Sequence, residues 1–577
     1  MVSVLNKIYA KLTSDPLWQS IALTLLITVF MFVQSWPRIV TWDLGDNDNY
    51  MRLHQIQTFI ESPSWYLYPL KDFNPQDGQI IHWSRLPDLP ILLVYYSAIA
   101  FVDHDTALQI AISIVPLVYL VLLVLVMNIF IKKTFGQEYI ILSTIYTIFS
   151  IAATKFKPGY IDHHNIQLLL FAFFLLLIYY FREKYSLICG LCVSISLAIG
   201  LEALPFYILV LAITVLKELN SKEKISSIGN ISLYIFLSGV TIFVIFNPIK
   251  DLLNPKYDVI SLQLLSYFFF VGTGLKIASN SEKTITKLLI LIISSLIPLL
   301  LFPKALIPLY IGYPDILNEF WLDHVSEAKS FLKFMNETTL NSILFYGSIF
   351  ISTALSLIFL KKLTKIDTIL ISLVISIFPV MFWQMRTIFF CSILLIPVVT
   401  LTGVEIFRSI KIPVLRIIAP IMIIPVIMAI LIIPIDKQLS STIEKTNKRN
   451  EEKLSLPKKL NELNITNKNI LTSIDYGAKI ISLTNNNIYS APYHRNIDGN
   501  LFLIETMQSD ISKETYNKIK KHKVEIILID VNDEQTKIIS RKSSDSSLIN
   551  NLIKGKNPNW TKKIYSDDNG IMIYSIN

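Results

Sequence analysis

Apolar runs of 17 to 25 residues recur from Leu17 to Pro434, each long enough to cross the hydrocarbon of a bilayer. A chain patterned this way is a polytopic α-helical membrane protein. The runs fall near 17–35, 106–131, 138–154, 165–181, 186–203, 205–216, 228–246, 258–275, 286–302, 340–360, 368–384, 387–407 and 417–434, about thirteen transmembrane helices in all. The run 89–102 follows Pro87 and Pro90 and is short for a span, so it reads as an interfacial or re-entrant helix. The first run follows Lys7 and Lys11 with no small-residue cleavage site after it, which predicts a retained span rather than a removed leader. Cys189, Cys192 and Cys391 all lie inside apolar runs, which argues against a disulfide or zinc framework.

Charge sets the expected orientation. With the N-terminus cytoplasmic, the inside loops carry Lys132-Lys133, Arg182/Lys184, Lys217/Lys222/Lys224, Lys276/Lys283/Lys287, Lys361/Lys362/Lys365 and Arg408/Lys411/Arg416. Every inside loop is then basic, as orientation by Lys and Arg requires. The formal net charge of +9 is explained by these loops, and no basic stripe suited to nucleic acid is present. The outer side receives the loop 36–105, the segments 155–164 and 247–257, the loop 303–339 and everything after Pro434.

The expected division is a membrane domain over 1–435, with the large outside loops 36–105 and 303–339, and a soluble α/β domain over 436–577. From Asp436 the chain turns rich in Asn, Lys, Ser, Asp and Glu, and 437–470 reads as a charged connection. Beyond it, Ile480–Pro492 reads as strand, 511–523 as helix, and Val524–Val531 and Gly570–Ser575 as further strands. A piece of roughly 140 residues is large enough for its own core.

The unexpected polar residues all fall on the outer side. Gly45-Asp46-Asn47-Asp48-Asn49-Tyr50 places two carboxylates and two amides in four positions, oxygens that a hard divalent cation wants. The same residues also suit an acidic turn capping a helix that starts near Tyr50. Asp162-His163-His164-Asn165 opens a span, and a carboxylate followed two positions later by an imidazole suits a borderline metal such as Mn2+. Asp323, His324, Ser326 and Glu327 lie in the loop 303–339. Arg386 separates two long apolar runs, where a guanidinium without an anionic partner is costly. Asp475-Tyr476-Gly477 and Tyr493-His494-Arg495-Asn496 lie in the soluble part.

In this order the motifs resemble those of oligosaccharyltransferase catalytic subunits, and more broadly the GT-C membrane glycosyltransferases. Asp48-Asn49-Tyr50 looks like the family's first-loop metal-binding Asp near a Tyr, with Asp46 a second candidate. Gly159-Tyr160-Ile161-Asp162-His163-His164 is similar to its second acidic motif, with His164 standing where a carboxylate is expected. His324-Val325-Ser326-Glu327 looks like the Ser-Val-Ser-Glu element, and Met385-Arg386 sits where the family has an Arg for donor phosphates. Ser473-Ile474-Asp475-Tyr476-Gly477 partly matches Trp-Trp-Asp-Tyr-Gly, with Ser473 and Ile474 replacing the Trp pair that helps read Asn-x-Ser/Thr.

The resemblance implies a glycosyltransferase that moves a glycan from a polyprenyl-(pyro)phosphate donor to an acceptor on the outer face, with inversion. It implies a divalent metal, Mn2+ or Mg2+, held by Asp48, Asp162, His164 and Asp46. Asp48 and Glu327 take the catalytic roles and Arg386 the donor phosphate. Asp475, Tyr476 and Gly477 are assigned to the acceptor, which is a protein, a lipid or a glycan; His494 and Arg495, in the segment Ala491–Asn496 that no family motif covers, are grouped with them, with the donor site as the other place for that segment. The expected location is the inner (cell) membrane, with the C-terminal domain periplasmic. One alternative is a single-sugar transferase using a polyprenyl monophosphate. A second is a transporter or flippase, against which the crowding of charge on one face argues.

Overall fold

The computed structural model describes residues 14–66, 69–251, 256–306, 312–358, 365–424, 427 and 456–577. Of the last expected span, 417–434, residues 417–424 and 427 are described, and of the charged connection 437–470, residues 456–470. The chain divides into two compact units. One comprises 1–40, 83–311 and 326–434, the other 41–82, 312–325 and 435–577. Parts of both large outside loops therefore group with the C-terminal part.

The first unit is helical. Pro16–Val40, His104–Thr134, Lys222–Phe246, Thr284–Leu301 and Met385–Ser409 are each long and apolar enough to cross a membrane. Other expected spans form shorter apolar helices, including His164–Tyr180, Leu204–Lys217, Leu262–Ala278 and Asp367–Phe382. The run 138–154 breaks into the helix Ile140–Ile148 and a 3-10 turn Ala152–Phe156. A tertiary bond covers the break, since the Ala152 N–H donates to Ser392 Oγ at 3.1 Å. Ser392 belongs to Ile388–Ser409, which is apolar on all sides and buried from Ile388 to Val404. Such a helix must lie at the centre of its unit, and it delivers Arg386 one turn ahead of its start.

The second unit holds a five-stranded sheet in the order β2-β1-β3-β5-β4. The strands are β1 Asn469–Leu471, β2 Asn487–Ile488, β3 Ile526–Asp530, β4 Thr561–Ser566 and β5 Ile571–Ile576. The β1 pairings with β2 and β3 are parallel, and the β3–β5 and β5–β4 pairings are antiparallel. β3, apolar but for Asp530, is buried throughout, and β4 alternates buried and exposed as an edge strand should. The stretch expected as strand over Ile480–Pro492 departs from the reading. Ile474–Leu483 is a helix, and strand begins only at Asn487. Ile474, Ala478 and Ile481 recur at helical spacing and are all buried, a pattern that Lys479-Ile480-Ile481 viewed alone hides.

Candidate functional site

In the first unit, the loop before His164–Tyr180 is tied down by backbone bonds that the sequence makes available. Pro116 inside His104–Thr134 has no N–H, so the Ile112 carbonyl one turn earlier loses its helical donor. The Gly159 N–H takes that carbonyl at 3.1 Å. Gly159 sits at φ +84, a left-handed conformation that glycine adopts without a Cβ penalty. Arg38 Nη2 donates to the Pro158 carbonyl at 3.2 Å, and Asn165 Nδ2 to the Tyr160 carbonyl at 2.8 Å.

This loop presents Asp162, His163 and His164, which are 9, 4 and 8% exposed. Each offers one ligand atom within 4.8 Å of the others. Their roles differ. Asp162 Oδ1 receives the His163 backbone N–H at 2.7 Å and lies 2.5 Å from His163 Nδ1. His163 Nε2 lies 3.3 Å from Glu202 Oε1, so both its ring nitrogens face carboxylates. Asp162 Oδ2 lies 3.3 Å from His164 Nε2. Two atoms at that separation can share one cation with bonds of about 2.1 Å at an angle near 100°. The donor set therefore fits a divalent metal at Asp162 and His164, with His163 behind it.

Electrostatics follow from this packing. Burial alone would raise the Asp162 carboxyl, but His163, His164 and Lys155 hold it well below the usual carboxylate range. Burial would likewise strip the His163 proton, yet Asp162 and Glu202 push its pKa up to about 10. Carboxylates on both sides of the ring thus favour the charged form of His163.

Glu327 and Arg386 join the same unit. Lys155 Nζ lies 3.3 Å from Glu327 Oε1 and 4.7 Å over the Phe389 ring, against which the His164 ring stacks at 6.3 Å. The Met385 N–H donates to the Lys329 carbonyl at 2.8 Å, fixing the Arg386 turn to the Glu327 loop. Burial works to raise the Glu327 carboxyl, but Lys155, His164 and Arg386 together hold it below its ordinary value. Sequence reasoning missed Lys155, Gln167 and Glu202. A lone carboxylate between two apolar runs was the available signal for Glu202, the same signal that marked Arg386.

The remaining expected residues lie in the second unit. Asp46 caps the helix Asn47–Glu61, its Oδ1 accepting the Asp48 N–H at 3.1 Å. Asp48 is half-buried in the first turn. That helix packs on Ile474–Leu483, so Asp48-Asn49-Tyr50 and Asp475-Tyr476-Gly477 are brought onto neighbouring helices. Lys479 Nζ stands 5.0 Å over the Tyr50 ring, and Tyr493 Oη donates to the Asn47 carbonyl at 3.2 Å. The His494 ring meets His82 edge-on at 4.6 Å, and Arg495 is half-buried beside it. Asp475 is exposed, whereas Tyr476 is 2% exposed with its hydroxyl donating to Asp530 Oδ2 at 2.5 Å. Tyr476 thus braces the helix against β3. Tyr476→Phe leaves Asp530 buried with one donor fewer and is expected to cost about 1–3 kcal/mol. A thermal melt of the purified protein checks this.

The first unit is thus a set of apolar helices around the buried Met385–Ser409, with a carboxylate–imidazole pair at the start of His164–Tyr180. Among solved structures the chain is similar to archaeal oligosaccharyltransferase AglB from Archaeoglobus fulgidus. In complex with an inhibitory peptide and a dolichol-phosphate, that protein matches at TM-score 0.60 and 13% identity, covering 95% of this chain and 74% of its own. Its apo form matches at 0.59 and 13% over 97% and 74%, and its complex with Zn and sulfate at 0.57 and 13% over 96% and 73%. At such identity the likeness is one of fold. No protein-family model and no curated protein sequence matches the chain.

Proposed function

We propose that the chain is a membrane glycosyltransferase that moves a glycan from a polyprenyl-(pyro)phosphate donor to an acceptor on the outer face of the membrane. The observation that carries this reading is the grouping in one unit of Asp162 and His164, 3.3 Å apart, with Glu327, Lys155 and Arg386 around them. Loss of a lipid phosphate builds negative charge on its oxygens. Arg386 and Lys155 are the cations that meet it, with Arg386 offering a planar fork for two oxygens. A divalent ion held by Asp162 and His164 supplies further positive charge to the departing group when bound. Glu327 has Oε1 occupied by Lys155, and its Oε2 is the atom that orients the acceptor and takes its proton. Direct displacement inverts the anomeric centre. The proposed setting is the inner (cell) membrane, with a cytoplasmic N-terminus and the 436–577 part outside.

One observation favours an acceptor other than an Asn-x-Ser/Thr peptide. Ser473 and Ile474, where the resemblance calls for two Trp, are both buried, and the Ile474 N–H bonds Gln535 Oε1 at 2.5 Å. The turn before Asp475 therefore offers no aromatic face.

The test is mass spectrometry of glycoproteins and surface glycolipids in cells with and without the gene, complemented by wild type or by Arg386→Ala. A glycan lost from proteins identifies an oligosaccharyltransferase, and one lost from a lipid or polymer identifies the other acceptor class. No glycan change in cells that express the protein refutes the reading. In a reconstituted assay, Arg386→Ala is expected to lower kcat/KM for the lipid-linked donor by roughly 10–100-fold, the worth of one charged hydrogen-bonding pair. Arg386→Lys recovers part of that loss.

A further inference from the structure

Glu202 stands between two apolar helices, Arg182–Ile199 and Leu204–Lys217, with both carboxylate oxygens engaged inside the protein. Oε1 lies 3.3 Å from His163 Nε2, and Oε2 accepts from Gln167 Nε2 at 3.4 Å. Gln167, one turn beyond His163, is itself fixed by donating to the Gly200 carbonyl at 2.8 Å and the Ser196 carbonyl at 3.3 Å. Gly200 leaves room for this arrangement. A Cβ there would lie 2.5 Å from Glu202 Oε2 and 3.2 Å from Gln167 Nε2.

The contacts form a relay from Gln167 through Glu202 and His163 to Asp162. An imidazole with a carboxylate oxygen against each ring nitrogen is held from both sides, which leaves neither nitrogen facing the gap between Asp162 and His164. What it can do is fix Asp162 Oδ1 at 2.5 Å, which leaves Oδ2 aimed at His164 Nε2. Outer partners that orient a ligand in this way are typically worth about 10–100-fold in metal affinity. We propose that Glu202 is a positioning residue that acts through His163 to orient the Asp162 carboxylate for a divalent cation shared with His164. The inference rests on the metal reading given under Proposed function. A carboxylate that only balanced the His163 charge would support the fold and leave metal affinity alone.

The two roles separate in a Mn2+ titration of the full-length protein in detergent, with free Mn2+ read by electron paramagnetic resonance. Glu202→Gln is expected to weaken Mn2+ binding by about 10–100-fold. Gly200→Ala, which keeps the charge but displaces Oε2, is expected to weaken it in the same direction, and it decides the matter if Glu202→Gln does not fold. In a His163→Ala background, Glu202→Gln should add nothing further, because the route has already been cut. Wild-type affinity in Glu202→Gln and Gly200→Ala, with affinity lost in Asp162→Ala, overturns the role of Glu202 and leaves the metal reading standing. A full Glu202→Gln effect without His163 also overturns it. If the wild type binds no Mn2+, or Asp162→Ala binds it normally, both fall together.

Discussion

Asp162→Ala is expected to remove glycan transfer by at least about 10²-fold in a reconstituted assay, with His164→Ala next in severity. The argument is geometric before it is electrostatic. Asp162 spends one oxygen on His163 and points the other at His164 Nε2, so one side chain both anchors the loop and faces the proposed cation site. Alanine removes both functions. It also removes the carboxylate beside His163 and leaves only Glu202 and Glu327 to balance His163 and Lys155, so the site holds a cation less well. Asp162→Asn separates these effects. It keeps an oxygen for the His163 N–H but drops the charge, so activity should fall almost as far while the loop stays in place. Added Mn2+ should rescue His164→Ala in part and Asp162→Ala not at all. Transfer by Asp162→Ala within a factor of about three of wild type would move the chemistry to a different part of the protein.

Much of this arrangement can be read from the chain, and the gaps have physical causes. Run length and apolarity are local properties, so helices such as Pro16–Val40 and His104–Thr134 are legible. The break after Ile148 is not, because local Ser150 bonds are joined there by one from Ser392, more than two hundred residues away. β3 and β5 are legible as short apolar runs between turn residues. The helix Ile474–Leu483 is hidden by β-branched residues whose packing overrides their local preference. Of the two acidic motifs, Asp162 and His164 lie together, and Asp46 takes the helix-capping role that its residue type also allows. The pairing of Asn47–Glu61 with Ile474–Leu483 joins segments more than four hundred residues apart, a contact that no local pattern encodes. Lys155 and Glu202 escaped notice because each sits beside apolar sequence that reads as span. Their meaning appears only once Glu327 and His163 stand next to them.

Gly477→Ala is expected to destabilise the second unit, although helix propensity argues the other way. Gly477 lies inside Ile474–Leu483, where replacing Gly by Ala would ordinarily gain about 1 kcal/mol. Here a Cβ would lie 1.9 Å from the Ser490 carbonyl oxygen and 3.0 Å from Ala491 Cβ. The obstacle is backbone, so no side chain can rotate away. Nor can the backbone retreat easily. Ser490 Oγ bonds the Thr472 carbonyl at 2.5 Å, and Asn500 bonds both the N–H and the carbonyl of Ala491 at 3.2 and 3.1 Å. Gly499 presses on the preceding residue, where a Cβ would lie 2.0 Å from the Tyr489 carbonyl oxygen. The segment is thus held by glycines of two helices. Overpacking against a fixed wall costs about 1–3 kcal/mol or more, which exceeds the propensity gain. The net loss should lower the melting temperature by several degrees and speed hydrogen exchange in peptides spanning 470–500. Gly45→Ala is the control. Nothing lies within 4 Å of its Cβ position, so it bears only the left-handed penalty of about 1–2 kcal/mol at φ +75. A Gly477→Ala protein that exchanges and melts like wild type would mean that the helix stands farther from Ser490 than the geometry above requires.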